Sequence, residues 1–127
     1  MHGSLYRIRC SRCSYARDDR EPIDSTSLET LPRCPECQAL LRPGVVWYGE
    51  GLDPDIIERA FAYATQADVC VVVGTSAVVH PAASIPLATL RAGGSLIEVN
   101  PEETPLSRHV GFSLRGASGE VLPELLP

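Results

Sequence analysis

The chain has 127 residues, with 44% hydrophobic and 21% charged, and 11 arginines against 16 acids leave a formal charge of −5. That length suits one ordinary domain, or a domain with a small module, and the composition excludes wholesale disorder. The acidic balance argues against a general nucleic-acid or anionic-membrane binder.

No run approaches the ~20 apolar residues that span a bilayer. Met1-His2-Gly3-Ser4 shows no charged region followed by an apolar core, so no secretory leader is read and a cytoplasmic setting with reduced thiols is expected. Basic charge is concentrated at the start, where Arg7, Arg9, Arg12, Arg17 and Arg20 meet only Asp18 and Asp19. A zinc-ribbon nucleic-acid binder using these arginines is the weakest of three readings, because the remainder is acidic and few aromatics interleave.

Cys10-Ser11-Arg12-Cys13 and Cys34-Pro35-Glu36-Cys37 form two C-x₂-C pairs with twenty residues between them. Two such knuckles supply the four thiolates that tetrahedral Zn²⁺ takes in a closed, structural site. Two disulfides, or a redox C-x-x-C, are the alternatives, and neither suits a reducing compartment with doubled pairs. The polar linker from Arg17 to Thr30 cannot bury a core, so metal binding is expected to hold this segment folded. Cys70 lies in an apolar run and reads as a core residue.

Composition shifts after Arg42-Pro43-Gly44, which divides the chain into residues 1–43 and 44–127. Val45-Val46-Trp47-Tyr48 is a β-prone run ending at Gly49. Asp53 and Pro54 read as the N-cap and first residue of a helix reaching about Gln66, with Ile56, Ile57, Ala60, Phe61 and Ala64 on one face. Val69 to Val73 is an apolar run of the kind buried on both faces of a parallel sheet. A second helix spans about Pro81 to Ala92, where Pro86 either kinks it or delays its start, and Gly93-Gly94 closes it. Ser95 to Val99 is a further strand, Phe112 to Arg115 a third, and a short helix covers about Glu120 to Leu126.

Strand, helix, strand in that order is a parallel βαβ crossover, so the second part is expected to be α/β, half of a Rossmann-like sheet. Ligands of such sheets bind beyond the carboxyl ends of the strands. Gly74-Thr75-Ser76 and Asn100-Pro101-Glu102 occupy those ends; on spacing alone the first is as readily a plain turn as a nucleotide contact, and Asn100-Pro101 is an ordinary turn.

The ordered set of His2-Gly3-Ser4-Leu5, the two cysteine pairs, Val45-Val46-Trp47-Tyr48-Gly49-Glu50, Gly74-Thr75-Ser76, Val78-Val79-His80-Pro81-Ala82-Ala83, Glu98-Val99-Asn100 and Leu114-Arg115-Gly116 resembles the carboxyl-terminal portion of the sirtuins. These are NAD-dependent protein-lysine deacylases, and the likeness is to the bacterial and desuccinylase-like branch, with Tyr48 in place of a usual Phe. The resemblance implies that His2 is the catalytic general base and that Cys10, Cys13, Cys34 and Cys37 hold structural zinc. It implies that Gly74, Thr75, Ser76, Asn100, Pro101, Glu102 and Ser118 hold the adenosine side of NAD. Gly49 and Glu50, with Val78 and Val79, match the segments that receive an acyl-lysine peptide as an added strand, and Trp47 and Tyr48 match walls of the acyl-lysine tunnel.

The family's glycine-rich pyrophosphate loop, flexible cofactor loop and Gln-Asn-x-Asp segment have no counterpart in these residues. The isolated chain is therefore expected to lack deacylase turnover. Its sheet should expose an apolar edge and face that a second copy, or a complementing amino-terminal chain, would cover. A non-catalytic zinc-containing module that binds peptides or partners is the alternative reading.

Overall fold

The computed structural model describes residues 1–125. It divides into two compact units, Met1–Asp53 and Pro54–Pro127.

The first unit is an antiparallel sheet of order β2-β1-β3, built from β1 (Gly3–Cys10), β2 (Ala16–Asp18) and β3 (Leu41–Val45). The third strand ends where composition predicted one to begin. Gly44 and Val45 pair with Ser4 and Gly3, and Leu41 pairs with Cys10, so the backbone ladder runs over residues 41–45 and leaves Trp47–Glu50 as a turn. The same pairing places residues 44–53 with the zinc-type cysteines rather than with the parallel sheet. Gly3 is required at this crossing. Its φ is +82°, and a Cβ there would lie 2.0 Å from the Gly44 carbonyl oxygen.

The second unit comprises α1 (Pro54–Gln66), β4 (Val69–Val73), α2 (Ile85–Arg91), β5 (Ser95–Val99), β6 (Phe112–Leu114) and α3 (Ser118–Leu125), with 3-10 turns at Ala82–Ser84 and Ser107–His109. Leu126, expected in the last helix, lies outside the described residues. The strands form a parallel sheet of order β4-β5-β6, as the crossover pattern requires. Pro86 delays the second helix: it occupies the first turn of α2, where its missing N–H breaks no helical bond.

Val72, Leu96 and Leu106 form the core of this unit, with Cys70, Ala77, Leu87 and Val110 packed around them. Burial pushes the Cys70 thiol up, in keeping with an inert core residue. Helices α1 and α2 are tied by the buried Thr89 hydroxyl, which donates to the Ala64 carbonyl at 2.7 Å. The other side of the sheet is open. Val71, Ile97 and Phe112 lie in register across the three strands, with Val71 49% and Phe112 68% exposed. No described helix is long and apolar enough to cross a membrane.

Candidate functional site

Each cysteine pair sits on a tight knuckle. The Cys10 amide donates to Tyr15 O at 2.8 Å, and the Cys34 amide donates to Ala39 O at 2.8 Å. These turns bring all four sulfurs within 4.8 Å of one another, with Cys10 and Cys34 buried. The Cys10–Cys37 separation is 3.4 Å, and Cys13 lies 3.6 Å from both Cys34 and Cys37. A tetrahedral ion with Zn–S bonds of about 2.3 Å needs sulfurs ~3.8 Å apart, so the cluster fits zinc in size and donor chemistry.

The amides of Arg12 and Cys13 point at the Cys10 sulfur at 3.3 and 3.4 Å. The Cys13 amide above all, against the opposing effect of burial, and then the Arg12 amide lower the Cys10 thiol to about 6. Cys13 receives a thiolate-favouring amide bond from Tyr15, yet burial and the crowding of the other thiols push it up to about 12. Cys10 favours its thiolate while Cys13 and Cys37 resist theirs, a combination that a dication completes.

The turn after β3 is held to the same sheet by one carboxylate. Glu50 accepts from both terminal nitrogens of Arg42, from Arg9 Nη2 at 3.0 Å and from the Trp47 amide at 3.0 Å. These contacts, Arg42 and then the Trp47 amide foremost, hold the Glu50 carboxyl down at about 2. Arg42 also stacks on the Trp47 ring at 3.5 Å. Together these residues border an open cavity of about 560 Å³ that reaches the first cysteine knuckle.

Glu50, expected to face a peptide, thus directs its side chain into its own fold. Tyr48 and Trp47 are left outward, 93% and 52% exposed. His2 is exposed and immediately precedes β1, and its carbonyl accepts the Val46 amide at 2.9 Å, so it lies beside this turn.

The early arginines do not form a free basic stripe. Arg7 pairs with Asp18, Arg9 with Glu50 and Arg17 with Asp19, while Arg20 lies over the Tyr6 ring.

In the second unit, parallel register brings the predicted ligand positions to one edge. Val73 pairs with Val99 and Val99 with Leu114, so Gly74, Asn100 and Arg115 leave the sheet side by side. The Gly74 amide donates to Val99 O at 3.0 Å, and the Asn100 amide donates to Leu114 O at 3.1 Å. Gly74 has φ +57° and open space where a Cβ would stand. Thr75 Oγ1 accepts the Ala77 amide at 3.2 Å, with Ser76 exposed beside it. Asn100 donates from Nδ2 to Glu102 O at 2.8 Å, which orients its carboxamide. Pro101 and Glu102 are exposed on the same loop, and Ser118 opens α3 just beyond β6. Val78 and Val79 lie on the exposed segment after Ala77, and His80 Nδ1 is 2.8 Å from Ser84 Oγ.

Sequence reasoning missed Arg9 and Arg42 as the residues that fix the Trp47 turn, since nothing in their local pattern marks them. Glu98 carried a usable sign: it is a lone acid inside an apolar strand.

The Sir2 family model matches residues 1–81 of this chain. Over 126 residues the chain is 49% identical to NAD-dependent protein deacylase 1 of Archaeoglobus fulgidus, covering 99% of this chain and 50% of that protein. A solved Sir2 homologue–NAD complex matches with TM-score 0.87 at 49% identity, over 98% of this chain and 47% of its own. Sir2Tm bound to a propionylated peptide matches with TM-score 0.87 at 32% identity, over 98% of this chain and 53% of its own. The chain spans about half the length of the curated relatives it matches. This chain belongs to the Sir2 family.

Proposed function

We propose that the chain is the carboxyl-terminal portion of an NAD-dependent protein-lysine deacylase. In this reading the four cysteines hold structural zinc, and Gly74, Thr75, Ser76, Asn100, Pro101, Glu102 and Ser118 form the adenosine side of an NAD site. Trp47, Tyr48, Gly49, Val78, Val79 and the backbone of Glu50 face an acyl-lysine peptide. His2 is the general base that takes a proton from a ribose hydroxyl once the acyl oxygen has displaced nicotinamide, a task suited to an imidazole titrating near neutrality.

The observation that carries the reading is the convergence of Gly74, Asn100 and Arg115 at the carboxyl end of three parallel strands, in a chain 49% identical to a deacylase. Two C-x₂-C pairs read as zinc thiolates rather than disulfides suit a reducing cytoplasm. The uncovered row of Val71, Ile97 and Phe112 supports assembly with a second copy or a complementing chain.

The test is an acyl-lysine peptide titration of the zinc-loaded chain with and without NAD. A gain in peptide affinity that depends on NAD is expected, without turnover by the isolated chain. Peptide affinity indifferent to NAD would favour the non-catalytic binding module instead.

A further inference from the structure

Glu98 is the buried acid of the described residues, 1% exposed, and none of the chemistry above uses it. It sits on β5, two residues before Asn100. An ionised carboxylate offers about four acceptor positions, and here four donors meet it. Thr104 Oγ1 and Ser107 Oγ (2.5 Å) come from the loop after β5, Ser113 Oγ (3.2 Å) from β6, and Arg115 Nη1 (3.2 Å) from the residue after β6. Burial alone would push the carboxyl up, but the hydroxyls and the Arg115 charge outweigh it and hold the carboxyl below its ordinary value.

The network does not stop at Glu98. Arg115 Nη1 also donates to Glu102 O at 2.6 Å and to Asn100 O at 3.4 Å, while Nη2 donates to Ser107 Oγ at 3.0 Å. Asn100 Nδ2 shares the Glu102 carbonyl. The backbone of residues 100–102 is therefore pinned from beneath by one guanidinium, itself anchored on one buried carboxylate. An apolar side chain would pack this strand without the desolvation that a buried charge costs. What the ion pair adds is a single arrangement of the loop above it.

We propose that Glu98 and Arg115 are positioning residues that hold the Asn100–Glu102 loop ready for the adenosine ribose of a dinucleotide. The proposal rests on reading this sheet edge as a nucleotide site. Neither residue need touch the ligand: Glu98 is enclosed, and Arg115 turns Nη1 and Nη2 to Glu98, Ser107 and the loop carbonyls.

The test is an ADP-ribose titration of the zinc-loaded chain, followed through its backbone amide resonances. Glu98→Gln keeps the size of the side chain and removes its charge. It should weaken ADP-ribose by about tenfold or more, and shift the free-protein amides of residues 100–107 while leaving those of β4 in place. Thr89→Val is the matched control: it loses the buried bond to Ala64 and thermal stability, and should bind ADP-ribose as the unsubstituted chain does. If Glu98→Gln does not fold, Thr104→Val and Arg115→Lys carry the same test, each with a smaller loss. Ligand shifts at Gly74 and Asn100 in the unsubstituted chain, together with unchanged affinity in these variants, would overturn the positioning role alone. No ligand shifts in the unsubstituted chain would overturn the nucleotide reading and this proposal with it.

Discussion

The guanidinium of Arg42 lies 3.5 Å above the indole of Trp47, and the same guanidinium grips the carboxylate of Glu50, three residues further along the turn. One planar cation thus fixes both ends of the segment that presents Tyr48 and Gly49. A lysine cannot stack and fork at once. Arg42→Lys should free the turn, red-shifting the emission of Trp47 and raising its quenching by acrylamide. Trp47 is the chain's single tryptophan, so the signal is unambiguous. Emission identical to the unsubstituted chain would show that the turn is held by something else.

The same clamp has a pH dependence of defined sign. The Glu50 carboxyl falls from an ordinary 4.5 to about 2 in the folded chain. A group depressed on folding contributes stability that is fully present above its unfolded value and lost as pH falls through its folded one. The contribution of Glu50 should therefore disappear between about pH 4.5 and 2. Urea denaturation at a series of pH values in that window should show the parent chain losing ground to Glu50→Gln, with parallel curves above pH 5. Parallel curves throughout would remove Glu50 from the clamp.

Metal removal should act on one unit. The first unit buries little besides Ile8 and its cysteines, so its fold leans on the four-sulfur site, whereas the second unit has a core of its own. Structural zinc contributes roughly 10–16 kcal/mol of apparent binding energy in small domains at neutral pH. Chelation, or Cys34→Ser, should release amide protection across β1 and β3 while β4 and β5 stay protected. Equal loss of protection in both units would contradict this division, and the parent chain should contain one zinc by elemental analysis.

Two glycines separate steric need from backbone preference. A Cβ on Gly94 would lie 2.6 Å from Ala67 O and 2.7 Å from Thr89 Cγ2, so Gly94→Ala should be the costlier of the two, at about 3 kcal/mol or more through overpacking. Gly49 has φ +87° with open space around it, so Gly49→Ala should cost only the ~1–2 kcal/mol of a left-handed residue. Chemical denaturation of both variants measures the difference, and Gly94→Ala matching or beating the stability of Gly49→Ala would refute the packing of α2 on the turn before β4.

Local pattern was enough for the second unit. The apolar runs at Val69–Val73 and Ser95–Val99, the Asp53-Pro54 helix start and the Gly93-Gly94 stop stand where the elements do, because each signal is written within a few adjacent residues. The cysteine knuckles were legible for the same reason: C-x₂-C is a local turn that carries its own chemistry. β1 carries no such signal, since of its exposed residues Leu5 and Tyr6 break any alternation and only Ile8 and Cys10 are buried. β-propensity is strongest over residues 45–48, but the pairing partner decides where the ladder runs, and β1 places it over residues 41–45.

Sequence by itself determined which residues could bind metal, where the parallel strands begin and end, and the family to which their order points. Tertiary structure alone decided that Glu50 turns inward to Arg42 and Arg9, that Gly74, Asn100 and Arg115 share one edge, and that Glu98 answers to donors as far as seventeen residues away. The reason is one of range. Turns and hydrophobic runs are settled among neighbours in the chain, whereas a buried charge is tolerable only once distant donors have been brought to it.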